Sequence, residues 1–437
     1  MKIGIIGLGF VGLSLAAVLG AKNFSVLGVD NDNQKIIKLK NSETPFYEPE
    51  LQKFLHLAQK KSLVVTLDLE QAVKNSDFLF VTVSTPSLAS GEINLKFIKN
   101  VVIDIGKKLR KTDNKPIIVI KSTVIPTSSE TVLLPLLEKF SRKSNGKGFG
   151  FLTNPEFLRE GRAIDDTLNP HIIVIGGTVS NDITKLKKFY SKLYKKNIPT
   201  ITTNHSNAEL IKYANNSFLA TKISFINQLA NICQKIPHSN IDEIANAIGL
   251  DPRIGSQFLN AGPGFGGSCL PKDLNALIQF SSKIGYKNSF LNAVQQTNIE
   301  QAKRILSLIE STLGNLKNKK ITILGVAFKE NSDDIRESVS VKLIHLLLQK
   351  NVKIITHDPK ALSNLRKIFK KRITYSNTVS ESLISSNCAV IMTSWDQYRN
   401  LKNSSFNQMK QKNLIDTRRL LSHKKLKLNY IAVGIGA

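Results

Sequence analysis

The first thirty residues contain the pattern that most restricts how this chain can fold. An apolar run over residues 2–6 leads into a turn, residues 7–12, with glycine at its first, third and sixth positions. The chain stays apolar to about Ala21, and the run over residues 25–30 ends in Asp30. A buried strand, a G-x-G-x-x-G turn, a helix and a second strand ending in an acid form the first βαβ unit of a dinucleotide-binding sheet. The pattern therefore predicts a parallel, doubly wound α/β domain.

The same turn indicates what the domain binds. Its glycines let the backbone approach a pyrophosphate, which would lie at the N-terminus of the following helix. Asp30 would hydrogen-bond the ribose hydroxyls of NAD. The 2′-phosphate of NADP would instead bring a like charge to about 4 Å, which costs ~4 kcal/mol at an effective dielectric of about 20. The residues therefore predict NAD; the alternative is a Rossmann turn that binds no phosphate.

Further apolar runs predict strands of the same sheet, with helices between them: Leu63–Thr66, Phe78–Val83, Ile117–Ile120 and Ile172–Gly176. Two of these strands are followed by polar turns, Ser84-Thr85-Pro86 and Lys121-Ser122-Thr123. Because ligands of open parallel sheets lie at the carboxyl ends of the strands, we expect Thr85 and Thr123 to meet the cofactor or the substrate. The alternative is that each threonine only caps a helix.

The last part of the chain repeats the first. The repeat relates three pairs of segments: 320–325 with 2–7, 352–358 with 25–30, and 388–392 with 78–83. The segment that follows residue 325, residues 326–338, is longer than the first turn and lacks its glycine spacing. It offers Lys329 and Arg336, which suit a nucleotide diphosphate or the other domain's cofactor; the alternative is salt bridges to nearby acids. We therefore predict a second Rossmann-like unit without the dinucleotide turn.

Between the two units, apolar residues recur at three- and four-residue intervals from about Ala208 to Lys235. This period predicts one long helix, which we expect to link the two domains and to carry a subunit interface. Lys212 and Asn216 lie four residues apart and so share one face of it. The predicted fold class is α/β, with two Rossmann-like doubly wound domains joined by a long central helix.

One cysteine follows a glycine-rich loop, residues 263–268, and precedes a proline, a lysine and an aspartate. Proline suits the first turn of a helix, so we expect Cys269 at a helix N-terminus, where the dipole favours thiolate over thiol. A thiolate in this position is a nucleophile for carbonyl carbon. The alternative is packing, which we expect for Cys233, in a helical pattern, and for Cys388, at the start of an apolar strand.

Composition excludes several classes of protein. Three dispersed cysteines in 437 residues are too few for a disulfide framework or a zinc site, so no metal is predicted. The net charge of +28 is spread over many lysine pairs, with no nucleic-acid-binding motif, which favours a solvated surface over a nucleic-acid partner. The apolar N-terminus has glycines at dinucleotide spacing rather than the features of a signal peptide or membrane span. We therefore expect a cytoplasmic protein with no membrane partner.

Taken together, these segments resemble the UDP-glucose/GDP-mannose dehydrogenase family over nearly the whole chain. The resemblance rests on the N-terminal turn, the turns at Thr85 and Thr123, the runs Asn154–Gly161 and Ala208–Lys212, the Cys269 loop, and Phe328-Lys329 with Arg336. The family oxidises the C6 alcohol of the sugar to a carboxylate in a four-electron reaction with two NAD. The resemblance implies three domains: an NAD-binding domain over 1–200, a central helical dimerisation domain carrying the cysteine loop over 201–300, and a nucleotide-sugar-binding domain over 315–437.

The resemblance also implies a role for each catalytic residue. Cys269 would attack the intermediate aldehyde to form a thiohemiacetal, and a second hydride transfer would give a thioester that water hydrolyses. Lys212 and Asn216 would stabilise oxyanions at C6. Asp273, with Thr123 and a water molecule, would serve the acid–base steps.

The resemblance leaves two alternatives for Glu156 and Glu160. Either acid would assist hydrolysis of the thioester, or it would have a structural role. The implied NAD-binding residues are Gly7, Gly9, Phe10, Val11, Gly12, Asp30, Lys35, Thr85, Thr123, Glu160, Lys272 and Arg336. The implied substrate-binding residues are Glu156, Phe157, Leu158, Arg159, Glu160, Lys212, Asn216, Arg253, Phe258, Leu259, Asn260, Ala261, Gly262, Gly266 and Lys329. Arg253 resembles a residue that the family lends across a dimer interface; the alternative is a loop charge. A homodimer or larger homo-oligomer is therefore expected.

The substrate favoured by the resemblance is UDP-glucose, oxidised to UDP-glucuronate. GDP-mannose stays open, because residues 268–273 also resemble the pattern of GDP-mannose dehydrogenases. Relatives that act on UDP-N-acetylated sugars tend to carry histidine before the cysteine, where this chain has Ser268, so a UDP-N-acetylhexosamine is less favoured. A two-electron hydroxyacid dehydrogenase and a nucleotide-binding scaffold without turnover are the remaining alternatives, and the Cys269 loop counts against both.

Overall fold

A computed structural model describes residues 1–436 of the chain. The described residues cluster into two compact units, Met1–Asn215 and the remainder from Asn216 onwards. Each unit contains one sheet. The three-domain division predicted above stays a prediction.

The first unit alternates short strands with helices, as a βαβ pattern requires. Its elements are β1 (Lys2–Ile6), α1 (Phe10–Ala21), β2 (Ser25–Val29), α2 (Asn33–Lys40), α3 (Leu51–Lys61), β3 (Leu63–Thr66), α4 (Leu69–Asn75), β4 (Phe78–Val81), α5 (Lys96–Leu109), β5 (Ile117–Ile120), a π-helical turn (Ser129–Leu133), α6 (Leu134–Ser141), β6 (Gly150–Thr153), α7 (Ala163–Leu168), β7 (Ile173–Gly176), α8 (Ser180–Leu193) and β8 (Thr200–Thr203). The sheet order is β3-β2-β1-β4-β5-β6-β7-β8. All neighbours are parallel except β6 and β7, which are antiparallel through Thr153 and Gly176.

The strands of this sheet are buried on both faces, which explains why they read as continuous apolar runs. Alternate residues of a strand point to opposite faces. Accordingly, Ile3, Ile5 and Phe80 join one core cluster with α1 and α3, whereas Ile6 and Val81 join another with α5 and α6. The order of the central strands reverses between β1 and β4, so the carboxyl ends of these two strands form the switch point at which such sheets bind ligands.

A long helix, α9, runs from His205 to Cys233 and confirms the predicted central helix. The elements after it are α10 (Ile241–Gly249), α11 (Leu270–Lys283), α12 (Ser289–Leu313), β9 (Lys320–Leu324), α13 (Val339–Gln349), β10 (Lys353–His357), α14 (Leu362–Phe369), β11 (Thr374–Ser376), α15 (Val379–Leu383), β12 (Cys388–Ile391), α16 (Asp396–Arg399), a 3₁₀ turn (Asn403–Phe406), β13 (Asn413–Asp416) and β14 (Asn429–Ala432).

The sheet of the second unit has the order β11-β10-β9-β12-β13-β14, with every pair parallel. This is the 3-2-1-4-5-6 order of a Rossmann fold. β9 pairs with β10 and β12 just as β1 pairs with β2 and β4. The predicted fold class, two Rossmann-like doubly wound domains joined by a long helix, is therefore confirmed.

Some strand predictions need correction. The strand predicted over Phe78–Val83 ends at Val81, because Thr82 already turns its hydroxyl towards the glycine turn and donates to the carbonyl of Gly7 at 2.7 Å. Five strands were missed: β6, β8, β11, β13 and β14. Each has three or four residues and contains a polar residue or glycine, so no continuous apolar run marks it in the sequence.

Candidate active site

The turn between β1 and α1 is tight on one side and open on the other. Gly7 has a φ of +94°, a conformation that favours glycine. A Cβ on Gly12 would lie 1.9 Å from the carbonyl oxygen of Gly7, so only glycine lets α1 begin against the turn. A Cβ on Gly9 would meet no atom within 4 Å. The turn thus leaves space at the N-terminus of α1, beside Phe10 and Val11, that fits the pyrophosphate of NAD.

Asp30 follows β2 and lies beside this turn. Its Oδ2 accepts a hydrogen bond from the backbone N–H of Leu8 at 2.8 Å. Lys35 Nζ lies 2.8 Å from the same oxygen. Two of the predicted cofactor residues are therefore in contact and compensate each other's charge, while the carboxylate keeps lone pairs that a ribose hydroxyl can use.

The two threonines at the switch point are in contact. Thr85 Oγ1 donates to the carbonyl oxygen of Thr123 at 2.7 Å, and Ser122 Oγ donates to that of Val83 at 2.6 Å. The N-cap of α5 is Leu95, well beyond Thr85, and the π-helical turn begins only at residue 129. Neither threonine is therefore a helix cap, which removes the alternative considered for them.

A buried ion pair lies in the first unit. Lys212 Nζ, on α9, donates to Glu156 Oε1 at 3.0 Å, and both side chains are less than a tenth exposed. Glu156 Oε2 accepts the backbone N–H of Leu158 at 2.5 Å, which fixes the turn that starts the 157–160 segment. Two residues predicted to be catalytic are thus brought together in one buried ion pair.

Sequence reasoning missed Lys121 in this cluster. Its Nζ donates to Asn154 Oδ1 at 3.0 Å. Burial lowers the pKa of Lys121 to about 8, Glu156 opposes that shift, and the charge of Lys212 adds to it. The available signal was its position: Lys121 follows β5 directly, at the carboxyl edge of the sheet where Thr123 was predicted to act.

The remaining residues of the 157–160 segment are held by their neighbours. Arg159 forms a bidentate ion pair with Asp166, with Nε–Oδ2 at 2.9 Å and Nη2–Oδ1 at 2.5 Å. The Phe157 ring packs edge-on against His171 at 5.6 Å between centroids, and Lys212 Nζ lies 5.4 Å from its centroid. Leu158 and Glu160 are half-buried. Arg159 is therefore tied to Asp166, whereas Phe157 contacts the buried lysine.

In the second unit, Cys269 lies where the sequence predicted. It is the N-cap of α11, and Pro271 falls in the first turn of the helix. Its Sγ lies 3.6 Å from Ser268 Oγ. Cys233 and Cys388 are buried and Cys269 is partly exposed, which confirms the packing roles predicted for the first two.

The first turn of α11 also contains a buried acid. Asp273 Oδ2 accepts Asn216 Nδ2 at 2.6 Å, and its Oδ1 lies 2.5 Å from Lys272 Nζ. Asp273 is 1% exposed. The Asp273 carboxylate, one helical turn after Cys269, therefore joins two other predicted site residues, Asn216 and Lys272.

The loop before Cys269 is fixed by close backbone contacts. Gly267 has a φ of +82°, and its N–H donates to the carbonyl oxygen of Arg336 at 2.9 Å. A Cβ on Gly266 would lie 2.5 Å from the carbonyl oxygen of Glu337, and one on Gly267 would lie 2.7 Å from the Phe328 ring. The segment between β9 and α13 therefore packs directly on the cysteine loop.

The earlier part of this loop, residues 258–262, is more varied. Phe258 has a φ of +65°, unusual for a large side chain. Leu259 and Ala261 are buried and Asn260 is exposed. Gly262 N–H donates to Asn227 Oδ1 on α9 at 2.7 Å. The loop is thus anchored to the central helix at its end.

Three cationic residues predicted to bind ligands contact neighbouring side chains of the chain itself. Arg336 forms a bidentate ion pair with Asp334, with Nη2–Oδ2 at 2.7 Å, which is the surface salt bridge considered as its alternative. Arg253 is 87% exposed and pairs with Asp251 at 2.6 Å. Lys329 Nζ lies 5.7 Å from the centroid of the Phe328 ring. Their roles in ligand binding stay predictions.

Sequence reasoning also missed an arginine pair after β13. Arg419 Nη2 donates to the carbonyl oxygen of Ala261 at 2.9 Å and its Nε to Asp242 at 2.8 Å. A Cβ on Gly262 would lie 2.7 Å from Arg418 Nη1, and burial lowers the pKa of Arg418 to about 10. An Arg-Arg pair at the carboxyl end of a parallel strand was the signal. The pair places one buried cation beside the predicted substrate loop.

Among residues 1–436, no helix is long and apolar enough to cross a membrane. In the same range, no group of three or more His, Cys, Asp or Glu side chains is arranged to hold a metal ion.

The chain is similar to known proteins along its whole length. Profiles of the UDP-glucose/GDP-mannose dehydrogenase family match it over three regions: the NAD binding domain at 1–194, the central domain at 206–300 and the UDP binding domain at 322–423. It is 37% identical over 427 residues to UDP-glucose 6-dehydrogenase AglM of Haloferax volcanii, covering 97% of this chain and 98% of that protein. It is 38% identical over 441 residues to UDP-glucose 6-dehydrogenase of Rickettsia prowazekii, covering 99% of each.

A solved structure gives the same result in three dimensions. The UDP-glucose dehydrogenase from the hyperthermophilic archaeon Pyrobaculum islandicum matches with a TM-score of 0.91 and 31% identity, covering 99% of this chain and 98% of that one. The chain therefore belongs to the UDP-glucose/GDP-mannose dehydrogenase family and is an NAD-dependent nucleotide-sugar dehydrogenase.

Proposed function

We propose that the enzyme oxidises UDP-glucose at C6 to UDP-glucuronate, through a thiohemiacetal and a thioester on Cys269. The observation that carries the proposal is the position of Cys269: a partly exposed thiol at the N-terminus of α11, one turn from the buried acid Asp273. The relatives named UDP-glucose 6-dehydrogenase support the choice of substrate. The match of residues 1–194 to an NAD binding domain supports the redox chemistry.

The need for a nucleophile follows from the chemistry. NAD, when bound, accepts the hydride that each oxidation step removes. An aldehyde does not release its hydride readily until a nucleophile has added to its carbon. Cys269 Sγ forms that bond, and the carbonyl oxygen becomes an oxyanion. Asn216, whose amide is fixed by Asp273 at 2.6 Å, and Lys212 are the proposed donors to that oxyanion.

Hydrolysis of the thioester requires a base and a water molecule. Glu156 is the proposed base, because its carboxylate is buried and is positioned by Lys212 Nζ at 3.0 Å. Asp273 and Thr123 are proposed to transfer the proton of the C6 hydroxyl. Water adds to the thioester carbon, the bond to Sγ breaks, and the thiolate is regenerated with release of the carboxylate product.

Nucleotide binding is proposed for the second unit, whose profile match is to a UDP binding domain. Arg418 offers a cation beside Gly262, and Lys329 offers another on the segment that covers the cysteine loop. GDP-mannose and a UDP-N-acetylhexosamine are the alternative substrates.

The test is to count NADH per sugar. Purified protein is incubated with limiting UDP-glucose and excess NAD, and absorbance at completion is compared with the sugar added. We expect two NADH per UDP-glucose. One NADH would indicate a released aldehyde and would contradict the role of Cys269, and none would move the assay to GDP-mannose and UDP-N-acetyl sugars.

The matched variants are Cys269→Ser and Cys233→Ser. We expect Cys269→Ser to lose at least about a thousandfold in kcat for the complete oxidation, because the alcohol is a far weaker nucleophile and a poorer leaving group. Cys233 is buried in α9, so Cys233→Ser tests the effect of losing a thiol without the chemistry. Full four-electron turnover by Cys269→Ser would exclude the covalent mechanism.

We also propose that the enzyme is a homodimer built on α9. Phe218, Phe225 and Ile232 are 64%, 51% and 48% exposed. They lie seven residues apart, so they form one apolar stripe along the helix. Phe225→Glu is expected to give a monomer in sedimentation analysis, whereas Thr184→Glu, an exposed site on α8, should leave the oligomer intact. A dimer that survives Phe225→Glu would place the interface elsewhere.

A further inference from the structure

A cavity of about 120 Å³ lies in the first unit, behind the 154–159 segment. Its inner wall holds polar side chains of the candidate site: Lys121, Asn154, Glu156, Tyr190 and Tyr194. Its outer wall includes Asn169 and His171, both exposed to solvent. The cavity therefore reaches from the buried ion pair to the surface of the unit.

The size and lining of the cavity suit water. A water molecule occupies about 30 Å³ in the liquid, and a buried one needs two to four polar partners. Tyr190 donates its hydroxyl to Asn154 Oδ1, and Tyr194 donates to the carbonyl oxygen of Thr167 at 2.9 Å. Each phenol oxygen keeps a lone pair for another donor. The cavity can thus hold several water molecules in a hydrogen-bonded chain.

Lys121 stands at the inner end of the cavity in a fixed position. Its Nζ is 3.0 Å from Asn154 Oδ1. Asn154 is itself fixed, because its Nδ2 donates to the carbonyl oxygen of Val174 at 2.7 Å. The amine also donates to the carbonyl oxygen of Asn154 at 3.5 Å, so both of its acceptors in the 154–159 segment are neutral. This environment lets the amine exist without its proton.

Burial is the largest cause of the lowered pKa of Lys121; of the two nearby charges, Glu156 raises that pKa and Lys212 lowers it. Lys212, which is buried on α9, adds a second cation, and Glu156 provides one carboxylate for the two. Burial lowers the pKa of Lys121 to about 8. On the α8 side, burial raises the pKa of both Tyr190 and Tyr194, so these phenols stay neutral.

The charged groups at the outer end are paired or exposed. Arg159 and Asp166 neutralise each other in a bidentate pair, and His171 is exposed. At neutral pH, about a tenth of Lys121 is the free amine, the form that accepts a proton. A base acts best when its pKa lies near the working pH.

The proposed reaction creates a need for such a group, and the inference rests on that proposed function. One alcohol, one water and two NAD⁺ give one carboxylate, two NADH and three protons. We propose that Lys121 is the proton-relay residue of this site: its neutral amine takes up a proton released at the Glu156 cluster, and the ammonium passes it to water in the cavity. The water chain carries the proton to solvent near Asn169 and His171, and the amine is regenerated.

Lys121 acts through Glu156 and water in this scheme, so its test is a pH profile rather than a loss of activity alone. Lys121→Arg keeps the positive charge but cannot lose its proton at accessible pH. Lys111→Arg is the matched control on an exposed lysine of the same unit. The measurement is kcat and KM with UDP-glucose and NAD over about pH 6 to 10.

We expect kcat of the unaltered enzyme to rise with pH to a plateau, with an apparent pKa near that of Lys121, and Lys111→Arg to do the same. Lys121→Arg should lose this rise and fall about tenfold or more on the plateau, with little change in KM. Retention of the rise in Lys121→Arg would overturn the inference, even if two NADH are still formed per sugar. Absence of turnover in the unaltered enzyme would instead contradict the proposed substrate, and the same series would then be run with GDP-mannose, whose oxidation releases the same three protons.

A second variant covers the case in which Lys121→Arg does not fold. Ile172 lines the outer part of the cavity and is half-buried. Ile172→Phe adds bulk there without touching the ion pair. We expect it to lower kcat severalfold and to raise the solvent deuterium isotope effect on kcat, because proton transfer through the cavity becomes limiting. An unchanged kcat and isotope effect would overturn the relay.

Discussion

The two Rossmann-like units begin in the same way and then diverge. Gly7 and Gly325 both follow the first strand of their sheet, and both have a φ of +94°. Each donates its N–H to the last residues of the neighbouring strand, Gly7 to Val29 and Gly325 to His357, at 2.8 Å. After that glycine, α1 begins within three residues, whereas α13 begins only at Val339. The two turns share this backbone geometry, but only the first leads directly into a helix.

The acid that follows the second strand has different hydrogen-bond partners in the two units. Asp30 accepts the N–H groups of Leu8 and Asp32 and pairs with Lys35. In the second unit, Oδ2 of Asp358 accepts Val326 N–H at 2.7 Å, and its two oxygens together receive five N–H groups of the chain, from residues 326, 327, 360, 361 and 395. The carboxylate that is open to a ribose in one unit is occupied by the protein in the other.

The segment that follows the first strand of the second unit, residues 326–338, contacts the cysteine loop. Its Phe328 ring and the carbonyl oxygen of Arg336 lie against Gly267, two residues before Cys269. The loop after the first strand therefore borders the space proposed for NAD in the first unit and supports the cysteine loop in the second. The same fold supplies both functions, because function depends on the residues of the loop rather than on the strand order.

The largest effect expected from this comparison is on stability at Asp358. In Asp358→Asn, one carboxylate oxygen becomes an NH₂ group that faces N–H donors, so at least two buried donors lose their acceptor. Each costs about 1–3 kcal/mol, and we expect the free energy of unfolding to fall by about 3 kcal/mol in urea denaturation. Asp30→Asn, the matched change in the first unit, should lower it by about 1 kcal/mol. Equal losses would show that the two acids have the same structural role.

Much of the fold could be predicted because its signals are local. The apolar runs of β1, β4 and β12, the glycine spacing of the first turn and the period of α9 each lie within one segment. The start of α11 was also predictable, since Pro271 marks the first turn of a helix and so places Cys269 at its N-cap.

The rest depends on contacts between segments that are far apart in sequence. Lys121 meets Asn154 across 33 residues, and Arg419 meets Ala261 across 158. A lysine after a strand and an arginine pair after another are common on protein surfaces, and only the folded chain shows that Lys121 is half-buried and Arg419 is buried. The same applies to Asp358, whose resemblance to Asp30 in sequence concealed a different set of partners.

A smaller effect is expected where the second unit supports the cysteine loop. In Gly267→Ala, the new Cβ would lie 2.7 Å from the Phe328 ring at a φ of +82°. We expect a loss of about 2 kcal/mol in unfolding free energy, from backbone strain and the displaced ring, and a fall in kcat of about tenfold as Cys269 shifts. Gly255→Ala is the control, because its φ is +69° but a Cβ there meets nothing within 4 Å. Equal kcat values for the two variants would mean that this contact does not position the cysteine.

The smallest effect concerns the acid of the first unit and cofactor choice. Asp30→Asn removes the charge that a 2′-phosphate would meet, and it leaves Lys35 without its carboxylate partner. We expect KM for NAD to rise about tenfold, which corresponds to ~1.4 kcal/mol, and kcat/KM for NADP to rise relative to that for NAD, because Lys35 is then available to a phosphate. The measurement is initial rates with each cofactor at saturating sugar nucleotide, with Asp358→Asn as the comparison at the equivalent position of the second unit. Asp358→Asn is assayed under conditions in which it is folded. If it changed the ratio of kcat/KM for NADP to that for NAD as much as Asp30→Asn does, the first unit alone would not determine which cofactor is used. If only Asp30→Asn changes the ratio of kcat/KM for NADP to that for NAD, the preference for NAD depends on the Asp30 carboxylate.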